Sequence, residues 1–140
     1  MTQNKKDLLF KDLCARLPYG VKLHCSSNVM ICIGPYTLNT IVLDRIFNDN
    51  TKYVPFDEFK PYLFPLSSMT EEQKKELENL GWYFDNFEIH NVRECLGTYR
   101  EFVAHSDCFN LIDWLNKNHF DYRSLIEKGL ANDATGLNIY

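Results

Sequence analysis

Residues 118–123, NHFDYR, bring a histidine, an aspartate, a tyrosine and an arginine into one short segment. An aspartate that orients a histidine makes it a general base, and an arginine beside the pair would bind an anionic substrate. His119, Asp121 and Arg123, with Tyr122 between them, are therefore the candidate catalytic residues of a small hydrolase or nuclease. No other stretch carries a motif of known chemistry, and none of the six glycines belongs to a phosphate-binding loop.

The same segment also suits a structural joint between two helices. Asn118 is a residue type that often ends a helix in the left-handed conformation, and Asp121 is a good N-cap for a short second helix that Gly129 would end. His119 and Phe120 would then fill the bend. Capping aspartates are far commoner than catalytic ones, so the joint is the favoured interpretation and no residue is assigned as catalytic.

A metal site is the next chemistry to consider. His105 and Cys108 stand three positions apart and His119 follows, but this spacing matches no known zinc motif. Packing of Cys108 on an apolar helix face explains the pattern better, so the sequence predicts neither a metal nor a cofactor. The five cysteines are odd in number and include no C-x-x-C pair, which indicates reduced thiols in a cytoplasmic protein.

Charge and composition argue against several classes of function. The chain has 140 residues, 15 Lys and Arg against 19 Asp and Glu, and a net charge of −4. Binding to nucleic acid requires a basic face, and no basic run exceeds two lysines, so such binding is expected to be weak. No apolar run approaches the ~20 residues of a transmembrane helix, and no membrane partner is expected. One soluble domain, residues 1–140, is predicted.

Hydrophobic periodicity predicts an α+β fold that begins with a helix. The inner stripe of this helix contains Leu9, Leu13 and Leu17 with Phe10 and Cys14 beside it, whereas Asp12 and Arg16 are predicted to face outward. Four alternating or β-branched segments follow between residues 21 and 56, with turns predicted at Gly34-Pro35 and at 48–50. They predict an antiparallel β-meander, or a small open barrel.

The segment after the meander is rich in proline and aromatic residues. Pro55, Pro61 and Pro65 predict an ordered connector with neither a long helix nor a central strand. Four aromatic residues stand in or beside it: Tyr53, Phe59, Tyr62 and Phe64. Aromatic side chains often anchor protein interfaces, so these four are the candidate partner-binding residues. The alternative is that each of them belongs to the core.

The C-terminal half is predicted to be mainly helical. Thr70 and Gln73 form a predicted capping box at the start of a helix. Residues 82–105 are predicted to contain a β-hairpin with its turn at Leu96-Gly97, although part of this segment also fits a helical stripe. The next predicted helix, at 107–118, has four inward residues: Cys108, Leu111, Ile112 and Leu115.

Three stretches together resemble a known group of proteins. LLFKDLCARLPYGVK, FKPYLFPLSSMTEEQKKEL and IDWLNKNHFDYRSLIEKGLA resemble, in this order, small proteins encoded by anaerobic gut bacteria and by their phages and prophages. The resemblance implies a mobile-element accessory protein in a bacterial cytosol. It brings no established activity and no binding residue to this chain.

These observations favour a non-enzymatic protein that binds another protein, as a monomer or a small homo-oligomer. The first alternative is the small hydrolase or nuclease built on His119, Asp121 and Arg123. The second is a weak nucleic-acid-binding module that uses the more basic residues 1–60.

Overall fold

The structure, a computed structural model, describes residues 1–25, 28–37, 40–45, 48–85, 88–91 and 105–140. Its architecture is α+β, as the sequence predicts. The helices in these ranges are α1 (Gln3–Arg16), α2 (Glu71–Asn79) and α3 (His105–Lys117). The strands are β1 (Lys22–Cys25), β2 (Asn28–Thr37), β3 (Thr40–Arg45), β4 (Asn48–Pro55), β5 (Phe59–Leu63), β6 (Trp82–Asp85), β7 (Glu88–Asn91) and β8 (Asn132–Asp133).

Six of these strands form one sheet in the order β4-β3-β2-β1-β5-β8. Strands β1 to β4 pair antiparallel with their sequence neighbours, which confirms the predicted meander. Strand β8 joins the sheet parallel to β5, with Tyr62 opposite Asn132 and Leu63 opposite Asp133. Strands β4 and β8 are the outer strands, so the sheet is mixed and does not close into a barrel.

Two predicted turns lie inside strands. Gly34 and Pro35 are within β2, where the register against β3 shifts between Cys32 and Gly34 and again between Pro35 and Thr37. The prediction of a break is wrong because an irregular ladder accommodates a residue that has no N–H to donate. Residues 48–50, also predicted as a turn, begin β4.

The proline-rich connector contains strand β5, which lies between β1 and β8 although the prolines predict no central strand there. Pro61 lies in the middle of β5, opposite Leu23 of β1. On the other side, β8 pairs only with Tyr62 and Leu63, so Pro61 stands where that side of β5 is an edge. Proline is excluded from strands that are paired along both sides because it has no N–H to donate. Pro61 is tolerated because one side of β5 is unpaired at this position.

Two hydrophobic clusters hold the elements together. The first joins α1, the sheet and residues 125–131, through Leu9, Leu13, Val21, Leu23, Cys25, Val54, Phe56, Phe59, Leu63, Leu125, Leu130 and Ala131. The second joins α2, β6 and α3, through Met69, Leu77, Trp82, Leu111, Leu115 and Phe120. The first cluster confirms Leu9 and Leu13 as inward residues of α1, whereas Cys14 is exposed.

The predicted capping box at the start of α2 is confirmed. The N–H of Gln73 donates to Thr70 Oγ1 (3.2 Å), and the N–H of Thr70 donates to Gln73 Oε1 (2.9 Å). Each bond satisfies a backbone donor that the first turn of a helix leaves without an intrahelical partner. Both partners lie three positions apart, so the motif is complete within the local sequence.

A hairpin that the sequence did not predict, β6–β7, precedes the predicted turn at Leu96-Gly97. Strands β6 and β7 pair antiparallel, with Trp82 opposite Asn91 and Asp85 opposite Glu88. The predicted turn at Leu96-Gly97 lies outside the described residues. Helix α3 begins at His105, two positions before its predicted start. Within the ranges given above, no helix has the length and apolar character needed to cross a membrane.

Candidate functional site

The segment NHFDYR leads from α3 into a series of turns, and the predicted second helix is absent. Residues 122–123 and 125–129 are turns that precede β8. The left-handed residue after α3 is His119 (φ 58°), and Asn118 is not among the residues with positive φ. Ser124 is also left-handed (φ 55°), a conformation that cannot continue a right-handed helix. The predictions of a helix over 122–129 and of a left-handed Asn118 are therefore wrong.

Asp121 accepts hydrogen bonds from three backbone N–H groups, whereas the side chain of an N-cap residue usually accepts from one. Its Oδ1 accepts from the N–H groups of Arg123 (3.3 Å) and Leu125 (2.9 Å), and its Oδ2 accepts from the N–H of Ile126 (2.8 Å). The residue is buried. Its own N–H donates to the carbonyl oxygen of Phe64 (2.8 Å). Asp121 thus holds the turns together and ties them to the residue that follows β5.

His119 contacts an aromatic ring and does not pair with Asp121. Its imidazole stacks on Tyr140 with 3.7 Å between ring centroids and 16° between planes. Nδ1 is buried and has no hydrogen-bond partner among the described residues. Burial, together with the charges of Arg16 and Lys22, lowers the pKa of His119 to about 4. A general base needs an orienting partner and a nearby nucleophile, and the described contacts of His119 supply neither.

Asp12 and Arg16, which the sequence places on the outer face of α1, are fully buried. Arg16 Nε donates to Asp12 Oδ2 (2.7 Å), and Arg16 Nη2 donates to Asp12 Oδ1 (3.1 Å). Nη2 also donates to the carbonyl oxygen of Phe120 (2.7 Å). The prediction that these residues face outward is wrong. Each charge is buried next to the opposite charge of its partner one turn away, which makes burial of both possible. An aspartate and an arginine at i and i+4 are the sequence signal that indicates such a pair.

Arg123, a candidate catalytic residue, approaches the same carboxylate. Its Nε lies 3.8 Å from Asp12 Oδ1. The guanidinium carbons of Arg16 and Arg123 lie 5.4 Å and 5.0 Å from the centre of the Tyr122 ring. Contact with a carboxylate and with an aromatic face stabilises a buried guanidinium. Arg123 therefore joins the bend to α1, and this arrangement does not direct its Nε toward a substrate.

Tyr140 covers this cluster from the other side. Its hydroxyl donates to the carbonyl oxygen of Tyr62 (2.8 Å) and accepts from the N–H of Lys22 (3.0 Å). The Phe64 ring lies 5.9 Å from the Tyr140 ring, and the Lys22 Nζ lies 5.3 Å from its centre. Tyr140 is 38% exposed, but its hydroxyl lies between two backbone groups, and burial there raises the pKa of Tyr140 to about 12. No sequence pattern singles out this tyrosine.

The four predicted partner-binding residues occupy different environments. Phe59 (3% exposed) and Tyr62 (8% exposed) are buried, and the Tyr62 hydroxyl lies 2.9 Å from His24 Nδ1. Phe64 is half-buried. Tyr53 lies on β4, and its side chain is outside the described part of the structure. Phe59 and Tyr62 therefore offer a partner little surface.

An apolar surface lies instead on the outer face of α3. Phe109 is 71% exposed and Ile112 is 37% exposed, although the sequence predicts Ile112 to face inward. Residues three positions apart are neighbours on a helix, so the two side chains form one patch, here called the α3 patch. Leu111 and Leu115 are buried and fix the inner face of the helix. Phe109 is apolar yet lies off the predicted inward stripe, which is the signal that would have revealed the patch.

A groove of about 310 Å³ next to β1 and β5 is lined by Phe59 and by five polar residues: His24, Asp57, Glu58, Lys60 and Asn132. Asp57 is already paired with the N-terminal amine (3.1 Å) and with Lys6 (3.4 Å), which lowers its pKa.

Among the described residues, no group of three or more His, Cys, Asp or Glu is arranged to hold a metal ion. The side chains of His105 and Cys108 are not among those described.

No protein-family model, curated protein or solved structure matches this chain. Its function is therefore inferred from the contacts, exposure and charge of its own side chains.

Proposed function

We propose that the protein acts by binding another protein through the α3 patch. The observation that carries this proposal is the exposure of Phe109, which leaves 71% of its surface in water beside the exposed Ile112. Apolar residues scattered singly over a surface are normal, whereas large contiguous apolar patches mark interaction sites. Aromatic residues also contribute strongly to binding when a partner desolvates them.

The residues around the patch suit the rim of an interface. Asn110, Asp113 and Lys117 are exposed on the same helix, and Asp113 accepts a hydrogen bond from the Tyr19 hydroxyl. An apolar centre with a polar rim is the usual composition of a protein-binding surface. The polar rim residues would orient a partner whose apolar side chain covers Phe109.

Helix α3 is held firmly enough to present this surface without rearranging. Leu111 and Leu115 belong to the second hydrophobic cluster, and Trp114 Nε1 donates to Glu76 Oε2 of α2 (3.1 Å). A surface that is ordered before binding loses less conformational entropy when the partner arrives. These contacts support an interface that forms by docking. The proposed setting is the bacterial cytosol, which the sequence resemblance implies.

A photo-crosslinking experiment in cells tests the proposal. Replacing Phe109 with p-benzoylphenylalanine keeps an aromatic group in the patch, and irradiation should yield a discrete adduct with one partner. A matched probe at Glu78, an exposed residue of α2, should not yield that adduct. Introducing Ile112→Asp beside the Phe109 probe should abolish it, because a charge would have to be buried in the interface.

Binding to the partner identified in this way should then be measured with purified proteins. Phe109→Ser should weaken the affinity at least ~10-fold, as is usual for an aromatic anchor at the centre of an interface. The melting temperature should stay near that of the wild type, because the ring is exposed. Identical adducts from positions 109 and 78 would contradict the proposal.

A further inference from the structure

We propose that the pocket filled by Tyr140 is a recognition site for a tyrosine side chain. In this proposal residues 135–140, here called the strap, close the pocket in the unbound protein, and a tyrosine of a partner protein takes the place of Tyr140 when the strap opens. The pocket is separate from the α3 patch, and the two proposals succeed or fail independently.

The contacts of Tyr140 define what the pocket accepts. A planar ring is stacked on His119 at 3.7 Å, faces Phe64 at 5.9 Å and lies 5.3 Å from the Lys22 ammonium nitrogen. A hydroxyl at the far end of the ring donates to Tyr62 O and accepts from Lys22 N. Tyrosine is the standard side chain that combines a six-membered aromatic ring with a hydroxyl that both donates and accepts.

The hydroxyl contacts give the pocket its selectivity over phenylalanine. If Tyr140 leaves, the carbonyl of Tyr62 and the N–H of Lys22 each lose one hydrogen bond. A second phenol would restore both bonds, whereas a phenyl ring would restore the stacking alone. A site built to bond a hydroxyl discriminates against an analogue that lacks it, because its polar groups are then left unpaired.

The strap is attached mainly at its two ends. Ala134, just before it, is buried, whereas residues 135–138 are exposed. At the far end, Lys22 Nζ donates to the carbonyl oxygen of Ile139, and Tyr140 lies in the pocket with 38% of its surface exposed. Segments with few buried contacts open at low free-energy cost and leave the rest of the fold intact. Release of Tyr140 would remove its ring contacts with His119 and Phe64 but no buried residue of the first hydrophobic cluster.

Small aromatic probes test the pocket in a Tyr140→Ala variant. The probe p-cresol should bind this variant, raise its melting temperature and slow the hydrogen exchange of the Lys22 amide, which loses its acceptor in the variant. Toluene, which lacks the hydroxyl, should bind roughly tenfold more weakly because two hydrogen bonds are missing. The matched control is Leu137→Ala, an exposed residue of the same strap, which should bind neither probe.

The wild-type protein provides a second test that does not depend on the variant. Titration with N-acetyl-tyrosinamide should shift the NMR signals of His119 and the Lys22 amide, and N-acetyl-phenylalaninamide should leave them in place. Equal binding of p-cresol and toluene to Tyr140→Ala would overturn the proposal. So would the absence of any shift with N-acetyl-tyrosinamide at its solubility limit. A wild-type dimer that Tyr140→Ala dissociates would assign the pocket to a second copy of this chain and overturn the partner tyrosine.

Discussion

Asp12 and Arg16 form an ion pair, one turn apart on α1, in which neither side chain has any exposed surface. Moving two charges out of water carries a large penalty, which is offset only when the remaining hydrogen-bonding groups find partners. Here the carboxylate accepts two bonds from the guanidinium and the carbonyl of Phe120 accepts a third, whereas Arg16 Nη1 is buried without a hydrogen-bond partner among the described residues. The pair therefore connects the first helix to the bend that carries His119 and Asp121.

Breaking this pair from one side should destabilise the protein strongly. Asp12→Asn leaves the Arg16 charge buried without its counter-ion, and we expect the free energy of unfolding to fall by about 3–5 kcal/mol. Urea denaturation with an unchanged slope would measure this difference. Asp7→Asn is the control, because Asp7 is exposed on the same helix and accepts a bond from Gln3 (2.7 Å). Similar losses for the two variants would show that burial of Asp12 has no special role.

The α1 pair also shows why part of this fold could not be predicted from the sequence. Periodicity identifies Leu9 and Leu13 as core residues because it depends only on their spacing. It assigns charged residues to the surface, and it contains no information about the acceptor at Phe120, 104 positions away. The capping box at Thr70 was predictable because both of its partners are three positions apart.

The candidate site follows the same division between local and distant contacts. The role of Asp121 as an acceptor of nearby N–H groups was predictable, because the donors are within five positions. The Tyr140 pocket was not, because its walls come from β1, β5 and the bend after α3. Pro61 in β5 was missed for a related reason, since only the sheet topology shows that one of its sides is an edge.

Substitutions of Asp121 should lower stability in a graded order. Asp121→Ala removes the acceptor of three backbone N–H groups, and we expect a loss of about 2–3 kcal/mol. Asp121→Asn keeps one acceptor oxygen and should fall between Ala and the wild type. Asp133→Ala is the control, because Asp133 is exposed and accepts one N–H, from Thr135 (2.8 Å). Thermal denaturation of the three variants measures the order, and equal melting temperatures would refute it.

Stability should decrease as His119 approaches protonation. Its pKa in the folded protein is about 4, below its ordinary value of 6.5. As the pH falls below 6.5, the unfolded chain binds a proton that the folded chain does not. The free energy of unfolding is therefore highest above pH 6.5. It decreases by up to ~3 kcal/mol as the pH falls toward 4.

Urea denaturation across this pH range measures the effect of His119. The comparison is His119→Gln, which should give a flatter dependence between about pH 6.5 and about pH 4 because it cannot titrate. Carboxylates that titrate in the same range contribute to both proteins and cancel in the difference. Parallel curves for the two proteins would contradict the low pKa of His119.

Binding to DNA or RNA should be weak at physiological salt. The net charge is −4, and the Arg16 guanidinium is buried on Asp12, so it is not available to a phosphate backbone. Fluorescence anisotropy with labelled oligonucleotides should show no submicromolar affinity in about 150 mM salt. Tight binding that persists at this salt concentration would instead favour the nucleic-acid-binding alternative.

The bond from Arg16 to the carbonyl of Phe120 has a consequence for the order of folding during translation. The acceptor for Arg16 Nη2 lies 104 residues after Arg16 in the chain, so it is synthesised long after α1. Strand β8, which pairs with Tyr62, is synthesised later still. A nascent chain that buried Arg16 early would leave one of its donors unsatisfied, at a cost of about 1–3 kcal/mol. Docking of α1 should therefore be a late step, and folding should be slow compared with proteins of mainly local contacts.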